Sequence, residues 1–566
     1  MQIRNSLLVA VLLLATLYAS AQTTYFPLWS KENWTLERLE IKLQRNNDLN
    51  LGTVKPLMRG TYVRVADSIR VQLDANAAGF SAVDLYNLNR LQANSSEYSS
   101  YPATAWKSKK PLGKGFFETP GNMLEVNQKG FYMSINPAIS VQQSMEKDYD
   151  ESIHFRAFGA SGRGLIGNKV AFHFQATANN ENGPIQFRRF VATNNAVPGA
   201  GRYNVASGNN AYSYFDFRGS LATNVTKYIN VQLGYDRNFI GNGYRSLMLS
   251  DFSGQSLFVK LNTRIWKLNY TNLFMQLSPT PFEASNDRMN KKYAAMHHLS
   301  LNATKWLNIG FFESIIFGRP NRYDFAYMLP VIFYRSIEQQ NGSPDNANIG
   351  FDFKANVAKK AQLYGQLMLD EFVKDEVIGN KRNWWGNKQG FQLGAKYVDA
   401  FGINNLDVQA EMNQIRPFMY QFRDTTGSYA HYNQPLAHPM GANLREFIGI
   451  VRYQPTNKLY FFARVNYWKQ GLDSAGYNFG YNPNTLYSST GQGGLRLRSD
   501  NYPLFTGMPA TGLNAAITAS YELKENLFVE AQAQYRSYKE TNKDKLNTTL
   551  LTIGLRWNMF RKDYDY

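Results

Sequence analysis

The chain contains no cysteine, which removes disulfide frameworks and thiolate metal or redox centres. Charge is sparse too: Asp, Glu, Lys and Arg make up 18% of residues, against roughly 25% in soluble globular chains. After residue 21 no apolar run approaches the about 18 residues of a spanning helix. The longest, Phe325 to Tyr334, has ten residues and includes Pro330. A helical membrane protein is excluded. No Lys/Arg tract of five or more occurs, so the positive balance of +18 is scattered and nucleic acid is not the expected partner. What is present is aromatic mass, Phe 37, Tyr 36 and Trp 9, diluted by Asn, Gln, Ser, Thr and Gly to a mean hydropathy of −0.42. That much burial-prone surface offsets ordering entropy and excludes a disordered chain.

Met1 to Ala21 reads as a secretory signal: Arg4 is the positive n-region, Leu7 to Leu14 the apolar run, and Ala19-Ser20-Ala21 the cleavage pattern. Position 22 is Gln rather than Cys, so the lipoprotein route is closed, and loss of Arg4 leaves a mature charge of +17. The chain is expected to be exported.

From about Gly130 the apolar pattern has period two. In 527–536, Leu527, Val529, Ala531, Ala533 and Tyr535 oppose Glu530, Gln532, Gln534 and Arg536. In 406–413, Leu406, Val408, Ala410 and Met412 oppose Asp407, Gln409, Glu411 and Asn413. Such alternation predicts strands with one apolar and one polar face. A sandwich would turn the apolar faces inward; a membrane barrel would turn them to lipid. The runs exceed the about 5–6 residues of sandwich strands and suit the about 9–11 of a tilted spanning strand.

Strands are expected near 129–143, 152–162, 167–177, 212–223, 228–239, 256–266, 268–277, 292–303, 307–319, 347–357, 362–372, 388–400, 405–418, 443–454, 459–471, 512–523, 527–539 and 546–560. Tight turns (224–227, 304–306, 358–361, 401–404, 454–458, 524–526) alternate with mostly long connections (178–211, 240–255, 278–291, 320–346, 373–387, 419–442, 472–511). That parity is the periplasmic/extracellular asymmetry of outer-membrane barrels. Mid-strand Asp407, Glu411, Arg452, Arg464, Glu530, Arg536 and Arg556 then face the lumen, since an Arg on the lipid face at the midplane costs roughly 2–4 kcal/mol. The final strand leads to Phe560, similar to the terminal signal read by barrel-assembly machinery, with Arg561 to Tyr566 following.

Residues 22–128 differ. A helix is expected around Trp34 to Leu43, a second with Tyr62, Val65, Ala66, Ile69 and Leu73 on one face, and a third from Ser81 as N-cap to Leu91. Residues 107–115 read as a linker. The fold class is therefore an all-β membrane protein: residues 1–21 a signal peptide, 22–128 a periplasmic helical cap and linker, and 129–566 an antiparallel transmembrane barrel of eighteen strands.

Two segments, Asn238-Phe239-Ile240-Gly241-Asn242-Gly243-Tyr244-Arg245-Ser246-Leu247 and His431-Tyr432-Asn433-Gln434-Pro435-Leu436-Ala437-His438-Pro439-Met440-Gly441-Ala442-Asn443, with the helical start around Arg59 to Ile69, resemble the capsule-assembly Wzi family of outer-membrane proteins, including its gliding-motility relatives of the RemB type. The resemblance implies an eighteen-stranded barrel with a periplasmic helical bundle. It further implies a lectin-like, non-enzymatic part in holding capsular polysaccharide at the cell surface.

A glycan site on such a barrel is expected on the long loops, where rings stack on sugars, Asn and Gln meet hydroxyls, and Arg pairs with acidic groups. The candidates are Asn242, Tyr244, Arg245, Arg322, Tyr323, Trp384, Trp385, His431 and Tyr432, with Tyr429, Tyr477, Tyr481, Arg496 and Arg498 as further loop material. Any single loop aromatic also suits an interfacial girdle or loop packing. Adjacent Trp384 and Trp385 do so least easily, since neighbours cannot both sit in a girdle. Gly241 and Gly243 suit a tight loop conformation. His431 and His438 lack a carboxylate or Cys set, so no metal is expected. Gly159, Gly162 and Gly164 imitate a dinucleotide pattern without a following helix. No catalytic residue and no cofactor are assigned. Partners expected are surface polysaccharide, outer-membrane lipid and lipopolysaccharide, the barrel-assembly machinery, and motility or secretion components. An accessory of gliding or secretion, and a porin, stand as alternatives.

Overall fold

The computed structural model describes residues 23–75, 79–101, 106–108, 111, 115–205, 210–279, 291–319, 322–331, 333–342, 345–371, 382–487 and 495–566. The expected signal peptide, and residues 109, 110 and 112–114 of the expected linker, lie outside the described residues.

Among the described residues eighteen antiparallel strands close on themselves. In chain order they are β1 (Phe131–Glu146), β2 (Ile153–Ile166), β3 (Val170–Asn182), β4 (Tyr212–Asn224), β5 (Ile229–Asp236), β6 (Ser256–Ile265), β7 (Leu268–Leu277), β8 (Lys292–Asn302), β9 (Leu307–Phe317), β10 (Asn346–Val357), β11 (Ala361–Glu371), β12 (Lys388–Tyr397), β13 (Leu406–Ile415), β14 (Leu444–Tyr453), β15 (Leu459–Leu472), β16 (Met508–Lys524), β17 (Leu527–Glu540) and β18 (Leu546–Trp557). Each strand pairs with its sequence neighbour, and β18 returns to β1 through pairs such as Leu555 with Val141. All eighteen expected strands form, and the period-two pattern sets which way they face. On β17 and β18, Val529, Tyr535, Leu551 and Ile553 are exposed outward, whereas Glu530 and Arg536 are buried within. Glu411, Arg464 and Glu530 line the interior as expected.

The chain departs from expectation at two ends of the wall. Leu124–Gln128, at the end of the 22–128 region expected as cap and linker, is a strand that pairs with the first half of β1. It occupies the edge that β18 leaves free, because β18 pairs only with Ile139 to Glu146. The last wall residue is Trp557; Phe560 turns into the lumen, where the Arg218 guanidinium lies 4.7 Å from its ring centroid.

Helices α1 (Lys31–Leu43), α2 (Arg59–Ala75) and α3 (Ala82–Ala93) pack around Leu36, Leu39, Val63, Ala66, Ile69 and Leu88. Ser81 caps α3 in a reciprocal box: the Asp84 amide donates to Ser81 Oγ (3.0 Å) and the Ser81 amide to Asp84 Oδ2 (3.1 Å). The bundle covers the tight-turn end of the barrel. Lys42 pairs with Asp399 (2.7 Å), Lys31 with Glu522 (2.7 Å) and Glu525 (2.5 Å), and Arg38 with Asp399 (2.9 Å) and Asp407.

Much of the interior is occupied by inward-folded chain segments. Val54–Lys55 pairs with Phe239–Ile240 inside the barrel. The β5–β6 connection, expected as an outer loop, folds inward. It interlocks there with the β13–β14 connection, where Tyr420 Oη donates to the Leu247 carbonyl (3.0 Å) and Tyr429 Oη to that of Met248 (2.6 Å). The C-terminal tail also enters. Asn514 and Gln534 donate to the Tyr564 carbonyl, Arg536 to that of Tyr566, and Arg561 pairs with Glu530 (2.8 Å). Tyr566 ends against Phe190 of α4 (Ile185–Asn194) and Phe252.

Candidate functional site

The expected loop residues divide by position. Asn242 is buried, hydrogen-bonded to Thr53 (3.4 Å). Half-buried Tyr244 and buried Arg245 lie in the lumen: their amides donate to the two Glu411 oxygens (2.6 and 3.0 Å). The Arg245 guanidinium pairs with Glu446 (3.2 Å) and Asp565 (3.1 Å), and Tyr244 Oη donates to Asp565 (2.6 Å) while accepting from Arg464 (2.7 Å). In the tail, burial pushes the Asp565 carboxyl up, but Arg245 and Arg464 outweigh it and hold the group below its usual range. These three are internal braces, a correction to their expected place on an outer loop. The reason is charge complementarity: lumen-facing Glu411 and Glu446 pair with the backbone amides and the arginine of this loop. Gly243 permits the approach, since a Cβ there would sit 2.5 Å from Glu411 Oε2.

His431 is likewise buried. Its Nδ1 accepts from the Ser278 amide (2.9 Å) and its Nε2 donates to the Gln255 carbonyl (3.0 Å). Burial lowers this imidazole to about 4, so the ring is neutral and structural. Tyr432 is half-buried over Gly201 and Gly254, at a hairpin tip where it and Asn433 both take positive φ (51° and 54°). Arg322 is exposed, and Tyr323 packs on Tyr293 (5.1 Å) and Phe317 (5.0 Å), both of which point away from the lumen. That segment thus lies on the outer wall, not over the mouth.

Trp384 and Trp385 remain, half-exposed at the long-loop end, and the structure builds a cluster around them. Loop 495–502 runs beside them through the Trp385 amide to Ser499 (3.0 Å) and the Tyr502 amide to Asn383 (2.9 Å). Arg496 lies with its guanidinium carbon 3.6 Å from the Trp385 ring centroid. Tyr487 packs on Trp385 at 4.8 Å, and Lys388 sits over Tyr487 at 4.1 Å while bonding Glu371 (3.2 Å). Phe418 and Tyr502 close the back. The Nε and Nη1 atoms of Arg496 make no hydrogen bond among the described residues, and burial lowers its pKa. An indole face, a phenol and a guanidinium can together stack on a sugar ring and pair with a hydroxyl or carboxylate. Arg496 was within the loop material singled out from the sequence. Lys388 was not, because it reads there as an ordinary strand residue.

A second space lies in the lumen, a cavity of about 480 Å³ between the N-terminal segment and the tail, lined by Trp29, Trp34, Arg218, Arg237, Phe560 and Lys562. Among the described residues no group of three or more His, Asp or Glu is placed to hold a metal.

A closed antiparallel barrel with an apolar outer face, polar interior, short turns at one end and long loops at the other is an outer-membrane β-barrel protein. The family described as Capsule assembly protein Wzi matches residues 137–550, and the chain belongs to that family. Among solved structures it is similar to Escherichia coli Wzi, described as an outer-membrane protein involved in group 1 capsule assembly and as a carbohydrate-binding β-barrel. The identity is 12% and the TM-score 0.54, over 95% of this chain and 100% of that one. Two further barrels are more distant: Pseudomonas aeruginosa OprD (10% identity, TM-score 0.39, 75% of this chain and 94% of that) and Acinetobacter baumannii OccAB2 (10%, 0.41, 75% and 98%). No curated protein sequence matches the chain.

Proposed function

We propose that the protein acts in capsule assembly as a non-enzymatic binder of surface polysaccharide, held at the long-loop end by the cluster around Trp385 and Arg496. Membership of the Wzi family supports the capsule role. The observation that carries the binding role is the Trp385–Arg496 stack, an aromatic face held beside a half-buried guanidinium at the long-loop end. On this reading the helical bundle lies on the periplasmic side, because it covers the tight-turn end. The bundle, loops and tail packed inside the wall favour a binding surface over a pore.

The test is binding of purified capsular polysaccharide by Trp384→Ala/Trp385→Ala and by Arg496→Ala. Loss of binding, with the polysaccharide shed into the medium of cells carrying the variant, supports the reading. Wild-type retention by both variants overturns it. An accessory of motility or secretion would behave differently: cells lacking the protein would keep their polysaccharide and lose spreading.

A further inference from the structure

The β9–β10 connection holds the longest apolar stretch of the mature chain, and the structure lays it on the outside of the barrel. Lumen-facing positions of β9 are fixed by Phe312, which packs in the interior cluster with Met248. Glu313, Ile315 and Phe317 therefore point outward. So do their cross-strand partners His297 and Ala295 on β8 and, beyond these, Asn272 and Phe274 on β7. Phe274, Ala295, Ile315 and Phe317 form one buried cluster with Tyr327 and Tyr334 of the connection. Helix α5 (Tyr334–Gln340) begins on Glu313, whose two oxygens accept the amides of Phe333 (2.7 Å) and Arg335 (3.1 Å). The Tyr334 ring lies 4.1 Å from that of His297. Arg319, bonded to Asp345 (2.6 Å) and Asp324 (3.1 Å), ties the two ends of the segment together, and Tyr327 Oη joins at Asp345 (2.8 Å).

The height of this patch decides its surroundings. At the tight-turn end Trp266 and Trp306 are exposed outward, as an interfacial girdle requires. His297 is five residues above the lower end of β8 at Asn302, and Glu313 six above that of β9 at Leu307. At about 3.3 Å per residue and a tilt of about 40°, both lie about 13–15 Å up an apolar band about 25 Å tall. An ionisable pair there would face hydrocarbon if left bare, and the amides of a segment crossing that depth need partners within the protein. Each covers the other's need. As far as Phe333 the outer surface of the segment then continues the wall: Phe325 is 77% exposed, Leu329 51%, Val331 54% and Phe333 67%, beside exposed Ile309 and Phe351 of the bare strands, and past it α5 turns Arg335, Ser336, Gln339 and Gln340 outward.

We propose that residues 323–331, with Phe333 and Tyr334, form a membrane-embedded strap, with its inner face sealing the polar patch of Asn272, His297 and Glu313 and its outer face in contact with lipid acyl chains. Lipid is the occupant because the exposed side chains of Phe325, Met328, Leu329, Val331 and Phe333 are apolar, sit at the depth of the hydrocarbon and run on from the barrel's own lipid-facing surface.

The absence of native cysteine makes single-site labelling direct. Full-length protein carrying a nitroxide at Leu329→Cys or Phe333→Cys is reconstituted in phosphatidylcholine vesicles, and its collision rates with oxygen and with nickel-EDDA are measured. Phe351→Cys on the bare wall and Lys543→Cys on an outer hairpin are the references. The strap positions are expected to match Phe351, with high oxygen and low nickel accessibility. Nickel accessibility at the level of Lys543 would overturn the proposal, as would spin–spin coupling that dilution with unlabelled protein removes, since that marks a second copy as the occupant. In a Glu313→Ala background the label at Leu329 is expected to shift toward the Lys543 value; an unchanged reading would refute the sealing role. Asp345→Ala provides the same readout if Glu313→Ala fails to fold.

Discussion

Arg245 and Glu446 show how single residues close this barrel. Glu446 is fully buried and accepts from Arg245, from His438 Nε2 (2.8 Å) and from Asn466 (3.1 Å). Removing one partner from such a network strands the other charge, at a typical cost of about 3–5 kcal/mol. Glu446→Ala is therefore expected to lower the temperature at which the folded band on a mild detergent gel converts to the unfolded one, with Glu446→Gln intermediate. Gly243→Ala is expected to lower it too, because the new Cβ meets Glu411 and displaces the amides of Tyr244 and Arg245. At this scale the sequence singled out Asn242, Tyr244 and Arg245 and misplaced them on an outer loop. The segment around Gly241 to Ser246 stands out as unusual, and polar loop residues suit an exterior as well as a polar lumen. Their direction is set by Glu411 and Glu446, about 170 to 200 residues away, whose pairing no local pattern reveals.

Among the elements, the helical bundle is seated on the barrel by ion pairs that titrate. Burial pushes the Glu37 carboxyl up, but Lys396 (2.7 Å) and Arg452 (3.3 Å) outweigh it and hold the group at about 2. Burial likewise raises Asp399, and Arg38 and Lys42 bring it down to about 2. Unfolded Glu and Asp titrate near about 4.3 and 3.9. Both folded values are depressed, so the stabilisation is fully present above about pH 5 and fades as pH falls toward 2. Hydrogen exchange of α1 amides is expected to accelerate over that window, relative to intrinsic rates, more than exchange in β13. Helix capping is a separate contribution: Ser81→Ala is expected to loosen α3 by about 1 kcal/mol, read by the same exchange experiment. Helices α2 and α3 were legible from the spacing of Tyr62, Val65, Ile69 and Leu73 and from Ser81, since amphipathic faces and caps are local properties, whereas the α1 stretch mixes the two periods. The strand Leu124–Gln128 was not, because it exists only to pair with the edge that β18 leaves open.

For the whole molecule, strand number and facing followed from the alternation of apolar and polar residues, which reflects the two solvents the wall separates. The candidate site was legible only in part. The tryptophan pair stood out as neighbours, but the arginine that stacks on it comes from 111 residues downstream, a contact between loops. The packing of bundle, loops and tail inside the wall has a functional consequence: planar-bilayer recordings of the intact protein are expected to show little steady conductance. Truncation after Met559 removes the partners of Arg464, Arg536 and Glu530 and is expected to raise it. Steady porin-like currents from the intact chain would mean that the interior is far looser than its hydrogen bonding indicates.

The position of Tyr566, enclosed by the wall and reached by Arg536, bears on how the molecule can be handled. An affinity handle or reporter fused after it would have to thread back out past Phe190 and Phe252 or prevent the tail from seating, so such fusions should yield poorly assembled material. Handles inserted at the exposed hairpin around Asn542 to Asp544 avoid that conflict.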